Sequence, residues 1–197
     1  MRLAGATLLL LGVWFATQAA RAEHGDADQP LLRPTRDVEV TYRVRNPAAP
    51  RDGQPLEQRT HWLAAAQAVR IEPPTPGLYV IIDHLARRMS VVREGDRSVI
   101  DMVAPDGMAG LTGGSDARTY IRRSEDMVAG MGCTNWETAD RDGRRTLACI
   151  TADGVLLRVS VGGETLATAV SVRYAPQDPA LFRVPSGYAH RTAGAAR

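Results

Sequence analysis

The chain has no lysine: all 24 basic residues are arginine, against 22 acidic ones. GC-rich coding explains this more simply than a binding device does. The glycines of the stretch 104–116 are not followed by Lys-Ser/Thr, so they make no phosphate cradle. No basic cluster interleaves with aromatics, which excludes a nucleic-acid surface of the usual kind. There are only two cysteines and no C-x-x-C, which argues against thiol redox catalysis. No G-x-S-x-G elbow is present for a serine hydrolase. The histidines form no metal-ligand pair, and the aspartates match no calcium loop. No metal or cofactor is expected.

What the chain does have begins with a charged Met1-Arg2, an apolar run over Leu3–Ala16 and the ending Ala20-Arg21-Ala22. That order reads as a secretory signal peptide cleaved after Ala22. The run is short for a bilayer span and no stop-transfer pattern follows, so no transmembrane segment is expected in the mature chain. Removing residues 1–22 takes away Arg2 and Arg21 and leaves equal numbers of basic and acidic residues. Export to the periplasm gives the cysteine pair a meaning, because an even pair in an oxidising space usually bridges. Without export, two buried free thiols are the alternative.

Residues 23–36 are polar and aperiodic and are expected to be flexible, as is the tail 189–197. Between them, residues 37–188 read as one antiparallel β domain. Val38, Val40, Tyr42 and Val44 alternate strictly with polar residues, the mark of a half-buried strand. Residues 57–63 and 69–72 read as further strands, and the alanines between them fit a strand or a helical turn. Residues 78–82, Leu-Tyr-Val-Ile-Ile, form a continuous apolar run expected to be covered on both faces. Strands are also expected over 88–93, 98–103, 118–123 and 126–131. A hairpin about Arg141 would set Cys133 directly opposite Cys149, within disulfide reach. Residues 155–161 and 166–174 complete the meander. Asp178-Pro179 suits the start of a short helical turn. About ten short strands with at most one or two short helices make an all-β chain.

Such a sheet must cover its apolar face with a second layer or a ligand. Tyr42, Trp62, Tyr79, Ile81, Met89 and Tyr174 are the candidate lining of a hydrophobic cleft; core packing explains the same residues without a ligand. His84, beside Asp83, with Asp101, Asp106 and Asp116 as carboxylates, is the weakest candidate, a hydrolytic site. Adjacent strand residues point to opposite faces, so His84 and Asp83 do not form an acid/base pair by adjacency. No catalytic residue is assigned.

Three fragments occur in order: Gly132-Cys133-x-x-Trp136, then residues 148–158 (ACITADGVLLR), then Asp178-Pro179-x-Leu181-Phe182-x-Val184-Pro185-x-Gly187-Tyr188. Together they resemble an uncharacterised family of exported bacterial all-β domains placed beside the LolA-like lipoprotein carriers. The resemblance implies a curved antiparallel sheet, a half-open β-barrel with an apolar concave face. It further implies a periplasmic, non-enzymatic module for a lipid, a lipoprotein acyl chain or another hydrophobic ligand. The alternative is a structural or protein-interaction domain of the envelope with a filled core and a protein partner. LolA-like carriers are lidded by helices, which this sequence hardly provides.

Overall fold

The computed structural model describes residues 29–45, 55–104, 119–140 and 143–192. The expected signal peptide, Asp106, Asp116 and the loop after Ala104 lie outside those residues. Twelve strands form one sheet. The first six are β1 (Val38–Val44), β2 (Leu56–Leu63), β3 (Ala68–Glu72), β4 (Leu78–Asp83), β5 (Arg88–Arg93) and β6 (Ser98–Val103). The rest are β7 (Ile121–Val128), β8 (Met131–Ala139), β9 (Arg145–Ile150), β10 (Leu156–Val161), β11 (Glu164–Arg173) and β12 (Ala189–Thr192).

The spatial order is β12-β6-β5-β4-β3-β2-β1-β11-β10-β9-β8-β7. Two antiparallel meanders, β1 to β6 and β7 to β11, are thus fused where β11 returns to pair with β1. Bulges interrupt the register at Thr41/Tyr42, Val159/Ser160 and Leu156/Arg158, close to that seam. Each bulge bends its strand and increases the twist. The sheet curls until β7 touches β11 yet does not close, which makes it the expected half-open barrel.

Cross-strand register explains the core. Val38, Trp62, Val69, Ile82, Met89 and Met102 are successive partners across β1 to β6 and share one face. All but Met89 and Met102 are buried. The apolar run of β4 is covered on both faces, as its composition demands. Ile82 enters the main core, while Tyr79 and Ile81 join Val92 and Val99 in a second cluster capped by Val184 and Tyr188. Asp178 accepts the Ala180 N–H at 2.8 Å and starts a single 3-10 turn, Pro179–Phe182. The alanines between β2 and β3 form a 3-10 turn as well, Ala64–Ala66.

The structure departs from the sequence expectations in four places. Cys133 and Cys149 are bonded, with Cα atoms 5.4 Å apart, but Cys149 faces Asn135 and not Cys133. The hairpin register is two residues off the symmetric one, so the bridge runs diagonally on the same face of the sheet. Segments 118–123 and 126–131 are not two strands. The chain continues through Ser124 as β7 and turns at Ala129-Gly130, both at positive φ. Ala189–Thr192, within the expected tail, adds β12 parallel to β6, the one parallel pair among the described residues. Finally, residues 30–36 lie against the core: the Thr35 N–H donates to the Asp153 carbonyl at 3.0 Å, and Leu32 packs on the main cluster.

Candidate functional site

Val38, Val40 and Tyr42 of β1, Thr60 and Trp62 of β2 and Val69 of β3 form the floor of a recess in the concave face. Val155, just before β10, and Leu156, the first residue of β10, line the recess opposite the floor together with His84. Its roof is a strap of chain, Leu32-Arg33-Pro34. The free space left beneath the strap is about 50 Å³. That is room for only a few waters.

The floor is held rigidly. The Tyr42 hydroxyl donates to the Leu156 carbonyl at 2.7 Å, tying the two meanders together inside the core. Burial raises the pKa of that phenol, so it stays protonated and keeps donating. Trp62 packs against the His84 ring, centroids 5.7 Å apart. Burial first, then the Arg33 charge, lowers the His84 pKa from its ordinary value, which leaves the imidazole neutral near pH 7.

The strap is pinned at both ends. Arg33 donates to the Gln67 side chain at 2.9 Å, and the Gln67 carbonyl accepts from the His84 N–H at 3.2 Å. Arg36 pairs with Asp153 at 3.0 Å and lies over the Tyr174 ring at 3.6 Å. Asp153 also accepts from Thr151 at 2.5 Å and from the Tyr174 hydroxyl at 3.0 Å. Burial pushes the Asp153 pKa up, but the bonds from Thr151, Tyr174 and Arg36 outweigh it and hold the carboxyl below its usual range. Between these pins the strap crosses Gly154 so closely that a Cβ there would lie 2.2 Å from the Arg33 carbonyl oxygen.

Of the six expected lining residues, the structure gathers two, Tyr42 and Trp62, in this recess. Met89 shares their face but lies outside the recess wall, and Tyr174 sits at the Arg36 pin. Tyr79 and Ile81 belong to the opposite face, where the Arg70 guanidinium lies 3.7 Å over the Tyr79 ring. Sequence reasoning missed the strap and Gly154. A strap without period carries no signal, though Gly154 within a turn is a marker of close approach.

Among the described residues the hydrolytic arrangement does not assemble; Asp106 and Asp116 lie outside them. Among the described residues the His84 ring bonds no carboxylate, and Asp83 accepts the Ala86 N–H at 2.8 Å. Asp101 instead accepts from Ser90 at 2.6 Å and pairs with His190 at 2.7 Å on the convex side. There the carboxylate stands between serine and histidine, so His190 is not placed to take the Ser90 proton. That order orients a histidine but activates no nucleophile. Among the described residues no group of three or more potential ligands is placed to hold a metal.

No family model and no curated protein matches the sequence. The solved structures that match the chain include the following three. An uncharacterized conserved protein from Thermus thermophilus is 15% identical with a TM-score of 0.56, over 81% of this chain and 91% of that one. PNGF-II is 12% identical with a TM-score of 0.50, over 80% of this chain but only 32% of PNGF-II. MucB in complex with MucA(peri) is 15% identical with a TM-score of 0.43, over 80% of this chain and 57% of that one. What the chain shares with the first of these, over 81% of its own length and 91% of that chain, is the fold.

Proposed function

We propose that this chain is a non-enzymatic binding module of the periplasm. Its cargo is a lipid or another hydrophobic group, taken up at the Tyr42–Trp62 recess. The observation that carries this reading is the cover of the recess. A folded β domain ordinarily covers an apolar face with a second sheet or a helix. Among the described residues the cover is one pinned strap, with Leu32 against the core and little free space beneath it. Uptake therefore exchanges Leu32 for the ligand. The Cys133–Cys149 bridge supports an oxidising compartment.

The small free volume also favours the alternative, a filled-core envelope domain that binds protein partners and no ligand. Titration of a fluorescent fatty acid into the full chain separates the two. Leu32→Ser removes about 1 kcal/mol of strap contact, so that variant should take up the probe about fivefold more tightly. Val69→Glu, which places a carboxylate in the floor, should abolish uptake. No uptake by the full chain or by Leu32→Ser would favour the filled-core domain.

A further inference from the structure

Three polar atoms of β2 are covered by protein and bonded to nothing among the described residues: Gln58 Nε2, Thr60 Oγ1 and Trp62 Nε1. They stand on alternate residues, so the pleat turns all three side chains to the concave side. Thr60 and Trp62 form part of the recess floor, and Trp62 is only 4% exposed. Successive members of the row recur about every 7 Å, two residues of strand. On either side the facing positions are apolar. Val38, Val40 and Tyr42 of β1 pair with Trp62, Thr60 and Gln58 in turn, and Val69 and Ile71 of β3 pair with Trp62 and Thr60.

Native proteins leave few buried donors unpaired, and each such group asks for an explanation. A hydrocarbon supplies no acceptor along its length. An extended polypeptide supplies them at the right interval, because carbonyls on one edge of an extended chain also recur about every 7 Å. An indole N–H only donates, and an amide NH2 or a hydroxyl can donate, so all three groups suit carbonyl partners.

Building on the binding-module reading, we infer that the cargo of the recess is an extended peptide segment with apolar side chains. It lies along β2, with one backbone edge on the Gln58–Thr60–Trp62 row. Its side chains fall left and right onto the apolar rows of β1 and β3. The strap provides a local precedent, being a stretch of polypeptide already seated over this recess through Leu32.

The test uses the full chain carrying Leu32→Ser, to loosen the strap. Fluorescein-labelled eight-residue peptides, with serine alternating with valine, isoleucine, leucine or phenylalanine, are titrated by anisotropy, with laurate in parallel. At least one peptide should bind. Thr60→Val and Trp62→Phe should each weaken it about fivefold, the worth of one hydrogen bond. Thr60→Val should not lower Tm, because it removes a hydroxyl that has no partner in the free protein. Trp62→Phe also leaves a gap in the core and should lower Tm modestly, so its binding is read well below that Tm. Peptide binding indifferent to both substitutions would overturn the inference. So would uptake of laurate with no peptide bound, although the binding-module reading would then stand. If neither laurate nor any peptide binds, both fall.

Discussion

At Gly154 the backbone has φ +89°, and the Arg33 carbonyl occupies the space a side chain would need. Gly154→Ala must therefore push the strap off the turn or strain the turn itself. Strain of this kind costs about 1–3 kcal/mol. The expected result is a lower Tm together with faster proteolysis at residues 31–36, read by mass spectrometry of the fragments. Asp153 next door gives a pH signature. Its folded pKa lies below the unfolded value, since its hydrogen bonds outweigh burial. The stability it adds is present above the unfolded pKa of about 3.9 and is lost as pH falls through the folded one. Asp153→Asn should flatten the acid limb of a Tm-against-pH curve below about pH 4 and leave its neutral shape unchanged. Tyr42 and Trp62 were legible at this scale because β1 alternates strictly and because Trp62 is a large apolar side chain on the strand beside it. Tyr79 and Ile81 were not placed with the right face. Alternation assigns residues to faces within a strand, and only the register of β3 with β4 shows that Ile82 is the residue facing Trp62's side.

Among the elements, the hairpin β8–β9 shows where sequence reasoning reached its limit. That the cysteines bridge was legible from their number and the export signature. The register was not, because the turn after Asp140 decides it and symmetric pairing about Arg141 is only one solution. In the structure the Gly143 N–H donates to the Asp140 carbonyl, and Gly143 has φ +76°. Closing a loop of 16 residues should add about 3 kcal/mol. Urea unfolding with and without reductant, and of Cys133→Ser, should show a loss of that order; equal midpoints would contradict it. Strand β7 reads as two in the sequence because Ser124-Glu125 falls between the expected strands 118–123 and 126–131 and breaks the apolar pattern. Arg122 bonds Glu125, Arg158 bonds Asp126, and the register shifts between Arg122 and Glu125. A bulge with ion pairs can therefore carry a polar stretch through a strand. The strap and β12 escaped notice for one shared reason. Neither has a period of its own, and each is held by pairing or packing with residues distant in sequence.

For the whole molecule, two meanders joined at β1–β11 explain why an all-β chain with hardly any helix can fold with one curved sheet. The fold class followed from strand count and turn spacing. The curl came from bulges at the seam, which no composition reveals. Curl and strap together create the recess, which in the proposed function takes up a hydrophobic ligand. The direct measurement is native mass spectrometry of the full chain and of Leu32→Ser, both exported, purified gently and then extracted. The expected result is a reproducible added hydrophobic mass, larger in occupancy for Leu32→Ser and absent from Val69→Glu. A clean unliganded mass for the full chain and for Leu32→Ser would contradict it.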